Sequence, residues 1–185
     1  MARDKAYIIK WFGPFLSRKD VEDWEVSHDY KSQLYLLQGK KKYAKSKECY
    51  YCGMTTRTAY ERFKDANHHI CEIENRDHNI YVGHFTNLIP STKDIKLVEK
   101  LLTSYLDYCI GRNALLNKTN FYAPNCDNEV CIINRWYNCR TEREYQRTPT
   151  NSPAHIVPDV LVYRVDENTG ECKLVIAPRL TPTWK

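Results

Sequence analysis

Residues 33–69 gather side chains whose types suit work on a phosphate ester. Two short apolar runs each carry a tyrosine, Gln33-Leu34-Tyr35 and Tyr51-Cys52-Gly53. Arg57 and Arg62 follow the second run, and His68 and His69 lie one short segment further on. Between the two runs sits a loop with Lys40, Lys41, Lys42, Lys45 and Lys47. Hydrolysis of a phosphodiester needs an oriented water, stabilisation of charge on the phosphoryl oxygens and help for the leaving oxygen. A guanidinium clamps a phosphate in a bidentate manner that an ammonium cannot match. A tyrosine hydroxyl orients water, but as a base it needs a nearby cation, because a free phenol ionises only near pH 10. Histidine ionises near neutrality and can pass a proton. Lys41, Lys42 and Arg57 are the candidate phosphate contacts.

These groups need a frame. Alternation and β-branched or aromatic content predict strands over residues 6–11, 33–38, 48–54 and 79–85, and a hairpin over 159–165 and 171–177. Ser17 is placed to cap a short helix through Trp24. Thr58 and Glu61 form a capping-box pattern for a helix reaching about Asn67, with Tyr60 and Phe63 on its apolar face. Ser91 and Asp94 open a second one, in which Ile95, Val98, Leu101, Leu102, Tyr105, Leu106 and Cys109 recur at helical spacing until Gly111. Glu99 stands at the edge of that stripe. A half-buried carboxylate there requires a cation, a hydrogen bond or a metal. Residues 122–151 are polar and show few regular signals.

The chain of 185 residues supports one good core, with ordinary apolar and charged fractions and a formal net charge of +5. That balance favours phosphate-rich partners without proving one. No run approaches the roughly 20 apolar residues of a membrane span, and the apolar patch at residues 6–9 is too short for a secretory core. A cytoplasmic location with mostly reduced cysteines is the expectation. Cys49 and Cys52 are three apart in a strand and so point to opposite faces. Cys126, Cys131 and Cys139 cluster in the polar region without the spacing of a standard zinc finger.

The ordered set of Tyr35, Tyr51 with Gly53, Arg62, Glu99 and Asn117 resembles the GIY-YIG nuclease family over roughly residues 32–117, nearly half the chain. Gln33-Leu34-Tyr35 corresponds to the family's first triplet and keeps its tyrosine. Tyr51-Cys52-Gly53 corresponds to the second, with cysteine at the middle. The family often has a histidine one turn after the arginine; Ala66 stands there, and His68 and His69 follow. The resemblance implies an α+β fold: a small mixed or antiparallel three-stranded central sheet flanked by helices, with an N-terminal extension (residues 1–31), a catalytic domain (32–121) and a C-terminal extension carrying a β-hairpin (122–185). It also implies a DNA endonuclease dependent on magnesium or manganese, in which Tyr35 is the general base, Tyr51 positions water or phosphate, Arg62 clamps the phosphate, His68 or His69 shuttles a proton and Glu99 holds the metal.

Each residue also has a plainer role open to it. The tyrosines can be sheet core, Arg62 a solvated helix residue, Glu99 a salt-bridge partner and Asn117 a turn cap. The flanks, with Arg135, Arg140, Arg143 and Arg147 beside Trp136 and Tyr137, are suited to reading bases or gripping phosphates, as a type II restriction enzyme requires. A palindromic target would call for a homodimer. RNA is not excluded as substrate. The competing function is a non-catalytic nucleic-acid-binding module on the same scaffold.

Overall fold

The computed structural model describes residues 4–29, 31, 33–44, 47–74, 78–122, 124, 128–150 and 152–180. Seven strands form one mixed sheet: β1 (Lys5–Phe15), β2 (Leu34–Lys40), β3 (Glu48–Met54), β4 (Asn79–Phe85), β5 (Val130–Asn138), β6 (Val160–Val165) and β7 (Cys172–Ile176). Their order across the sheet is β3-β2-β4-β1-β5-β6-β7. This overturns the expected three-stranded sheet flanked by helices. β2 pairs with β3 and β4, but β4 also pairs antiparallel with β1, and β1 runs parallel to β5. The expected extensions therefore supply strands to the same sheet. The strand over residues 130–138 escaped the sequence reading because its alternation is broken by Asn134. That residue is buried, accepts a hydrogen bond from the Trp11 indole at 2.8 Å and donates to the Pro158 carbonyl at 2.8 Å. A satisfied polar group thus occupies a core position.

Helices cover the two faces unequally. α1 (Arg18–His28) is capped by Ser17 and ends at Asp29 in the left-handed conformation. α2 (Ala59–Phe63) begins with the Thr58–Glu61 capping box. It is a turn shorter than its sequence pattern suggested, and His68 and His69 follow at the start of a 3₁₀ turn. α3 (Thr92–Ile110) opens with the Ser91–Asp94 capping box and stops at Gly111. α4 (Pro153–Ile156) is a single turn.

Strand alternation divides the buried residues between two cores. Leu34, Leu36, Cys52, Tyr81 and Trp11 join the α3 residues Val98, Leu101 and Leu102 on one face. Tyr35, Leu37, Cys49, Val82 and Phe12 join Val21, Trp24, Ala59 and Phe63 of α1 and α2 on the other. Cys49 and Cys52 fall in different cores, as their spacing requires. Cys131 on β5 and Cys139 just past its end lie about 26 Å apart along an extended strand, too far to share a metal. Cys126 and Lys45 lie outside the described residues. Cys172 is disulfide-bonded, while Cys49, Cys52, Cys71, Cys109, Cys131 and Cys139 are free thiols. No described helix is long and apolar enough to cross a membrane.

Candidate active site

Register places the two tyrosines. Tyr35 on β2 faces Gly53 on β3, and Leu37 faces Tyr51. Tyr35 and Tyr51 thus stand on one face, diagonally across a strand pair, with ring centroids 6.0 Å apart. Gly53 is required by this packing. A Cβ there would lie 2.5 Å from the Tyr35 ring and hydroxyl. Tyr35 is wholly buried, with Phe63 edge-on to its ring at 5.0 Å.

His68 anchors the Tyr35 hydroxyl. Its Nδ1 accepts from the Ile70 backbone N–H at 3.0 Å, which leaves the proton on Nε2. Nε2 then donates to the Tyr35 oxygen at 2.9 Å. Burial, then the Arg62 and His69 charges, push the His68 pKa down to about 4, so the ring is neutral at pH 7. Both nitrogens are engaged, which suits a positioning donor better than the proton shuttle expected from sequence. His69 lies apart from that bond: its ring packs on Tyr51 at 4.8 Å and its Nδ1 is 2.5 Å from Glu72.

Arg62 reaches the same place from α2. Burial raises the Tyr35 phenol well above its ordinary range and the Tyr51 charge adds to this, while Arg62 acts on Tyr35 in the opposite direction, by charge and hydrogen bond. Arg62 also pairs with Asp65, whose Oδ2 accepts from Arg57 at 2.7 Å. The two guanidiniums therefore converge on one carboxylate oxygen. Glu25 on α1 orders this helix: its carboxylate is buried and accepts from the Ala59 and Tyr60 backbone N–H groups at 3.0 and 2.9 Å. Those are first-turn donors that no other helical group can satisfy. Sequence reasoning missed Glu25, because nothing in its own helix marks a contact 34 residues away.

Glu99 arrives from the other face, around the β3 edge. Tyr50 bridges to Leu115 and accepts from Leu116 N–H at 2.8 Å, so residues 115–117 cover that edge. Asn117 completes the cover: its side chain accepts from Cys52 N–H at 3.0 Å and donates to Cys52 C=O at 2.7 Å. Asn117 thus clamps strand backbone and is not turned to a substrate. Glu99 is buried and takes hydrogen bonds from the Asn120 amide at 3.0 and 3.3 Å. Burial pushes its pKa up to about 7, against smaller opposing effects of Asn120 and Lys100. Its charge in turn adds to the burial that raises the Tyr51 phenol. Asn120 is a second residue the sequence did not announce.

Tyr35, Tyr51, Arg62 and His68 come together, with Arg57 behind Arg62, and Glu99 acts on Tyr51 through its charge. Lys41 and Lys42 do not join them. They sit at the far end of the β2–β3 hairpin, about 20 Å along the strand from Tyr35. There Lys41 lies 4.0 Å from Glu72 and Lys42 N–H donates to the Glu72 carbonyl. The arginine flank of β5 is also elsewhere: Trp136 is buried and stacks on Trp11 at 5.6 Å, and Arg135 forms a two-pronged pair with Glu144. Trp136 is core, so it reads no base.

Among the described residues no three His, Cys, Asp or Glu side chains converge on a common metal position. A lone carboxylate remains compatible with magnesium, which keeps several waters and binds through one or two carboxylates. Glu99 fits such an ion: it is buried, it takes its hydrogen bonds from the neutral Asn120 amide, and burial raises its pKa in the direction that a bound divalent cation would reverse. Compared with protein-family models, with curated proteins and with solved structures, the chain gives no match.

Proposed function

We propose that this protein is a divalent-metal-dependent endonuclease that hydrolyses phosphodiester bonds in DNA, with chemistry of the GIY-YIG kind. The observation that carries the reading is the convergence of Tyr35, Tyr51, Arg62 and His68, with the buried Glu99 near enough to act on the Tyr51 phenol through its charge. Perturbed titratable groups gathered around one place favour a working site over a structural one.

In this reading Arg62, with Arg57 behind it, binds the scissile phosphate and takes up charge as it develops on the equatorial oxygens. A phosphate would replace the Asp65 carboxylate between the two guanidiniums. Tyr51, partly exposed and nearest Glu99, orients the attacking water. Tyr35 is shielded beneath it and holds Tyr51 and Arg62 in place, itself fixed by His68. A water oxygen bonds to phosphorus, the P–O3′ bond breaks, and a 5′-phosphate and a 3′-hydroxyl result. Magnesium or manganese held through Glu99 would supply Lewis-acid polarisation of the phosphate and the leaving oxygen. A restriction enzyme acting as a homodimer on a palindrome is the narrower form of the proposal.

The direct test is incubation with supercoiled and linear DNA and with RNA, in magnesium and in manganese. Metal-dependent cutting that Arg62→Ala and Glu99→Ala abolish is expected. A folded protein that cuts none of these substrates would overturn the proposal. The second reading, a non-catalytic nucleic-acid-binding module, draws on the complete burial of Tyr35. Salt-sensitive binding without cleavage would favour it.

A further inference from the structure

A cleft of about 380 Å³ lies between α2 and the start of α1. Tyr60 supplies its accessible aromatic surface over the buried Phe63, and Arg18, Lys19 and Lys64 bring three cations to its rim against Glu22, with Lys19 paired also to Asp23 at 2.7 Å. Tyr60 and Lys64 are one helical turn apart and share a side of α2, with the Lys64 ammonium over the Tyr60 ring at 3.9 Å. Arg62 leaves from the other side. Glu22 lies 3.2 Å from the Lys19 ammonium and 3.9 Å from that of Lys64. Arg18 reaches the Phe63 carbonyl at 3.4 Å. Phe63 joins the two places, since the same residue packs edge-on to Tyr35.

We infer that this cleft is a subsite for a nucleotide flanking the scissile phosphate: a base stacks on Tyr60 and its phosphate lies among Lys64, Lys19 and Arg18. The chemistry is that of single-strand tracking, in which an aromatic face takes any base and cations take the backbone. Exposed lysine–carboxylate pairs are weak, so exchanging Glu22 for a phosphate costs little. A nucleic-acid strand is favoured over an acidic peptide because the cleft shares α2 with Arg62. A strand gripped at one side of the helix continues onto the other. The inference rests on the nuclease reading for its ligand, but it concerns different residues.

Fluorescence anisotropy of the full chain with labelled single- and double-stranded DNA, in chelator and from about 50 to 200 mM salt, tests it. Lys64→Ala and Arg18→Ala should each lower the slope of log affinity against log salt by about 0.7–0.9. Tyr60→Ala should weaken binding roughly tenfold with the slope unchanged, and Tyr60→Phe, which keeps the ring, should restore it. Variants that bind with the native slope and affinity overturn the subsite. If the native chain cuts DNA while these variants bind normally, the subsite alone falls. If the slope losses appear but nothing is cut, the cleft holds a nucleotide with no scissile phosphate beside it, and the nuclease falls. A native chain that binds no nucleic acid overturns both.

Discussion

The two ends of the sheet differ in how their buried polar side chains are met. At the β3-β2-β4 end, Tyr35, His68, Glu99, Asn117 and Glu25 are buried, and the first three are shifted far from their usual ionisation. At the β5-β6-β7 end the buried side chains include Ile132, Trp136, Leu161 and Tyr163, buried Asn134 and Asp159 are met by Trp11 and Pro158 and by Arg179 and the Leu180 N–H, and other charges sit outside in pairs: Arg135 with Glu144, Arg164 with Glu129, Lys173 with Asp166. Burying a charge or an ionisable group costs free energy that packing alone does not return. The Glu99 carboxyl and the His68 imidazole are both held toward their neutral forms at the first end, which is where the proposed chemistry lies.

The contrast fails if damage at the apolar end silences the site directly. Trp136→Ala should cost about 3–5 kcal/mol of stability and lower the melting temperature by about 10 °C. DNA cleavage per folded molecule, measured well below the midpoint found by denaturant titration, should stay near native. The next effect in size belongs to the polar end and has the reverse signature. Arg62→Ala should reduce cleavage about 10²–10³-fold. It should change stability by less than about 1 kcal/mol, since its partner Asp65 is partly exposed. A large loss of stability with unchanged cleavage would instead assign Arg62 to the frame.

These ends also differed in how plainly the sequence announced them. The hairpin of β2 and β3, which brings Tyr35 and Tyr51 to one face, and the caps of α2 and α3 were legible, because each depends on short-range pattern: alternation, a Thr-x-x-Glu box, a Ser-x-x-Asp box. The sheet itself was not. Its continuity depends on β1 lying between β4 and β5, a pairing across more than 120 residues that no local signal encodes, and on Asn134 filling a core position. The site's supports were hidden for the same reason. Glu25 and Asn120 act on α2 and on Glu99 from outside the segment that carries the motif. Lys41 and Lys42 show the converse error: a short separation in sequence became a long one in space, because an extended strand lies between them and Tyr35.

Glu99 sharpens the comparison through pH. Its folded pKa of about 7 lies above the ordinary 4.5, so the folded state holds this proton more tightly than the unfolded chain. The stability it confers is full below about pH 4.5 and is lost as pH rises through about 7. Integrated over that window the loss approaches 3 kcal/mol. Glu99→Gln should therefore flatten the profile and, in chelator at pH 8, stabilise the protein by about 1–3 kcal/mol, a smaller gain than the full amount because the Asn120 amide loses an acceptor. In the native protein magnesium should raise the melting temperature more at pH 8 than at pH 6, and in the variant at neither. Thermal unfolding across pH, with and without metal, reads all of this. A variant less stable than native at pH 8 without metal would mean that the carboxylate is compensated after all.

The smallest effects belong to the paired arginines of the other end. Arg135 holds Glu144 with two hydrogen bonds, and Arg164 meets Glu129 at 2.7 Å. Both arginines are substantially exposed, so water screens the attraction and each pair contributes about 0–1 kcal/mol. Arg135→Ala and Arg164→Ala should then leave stability within about 1 kcal/mol and cleavage within about twofold of native. A cleavage loss as large as that of Arg62→Ala, in a protein of native stability, would show that the strand of nucleic acid crosses the whole sheet, and would erase the division between the two ends.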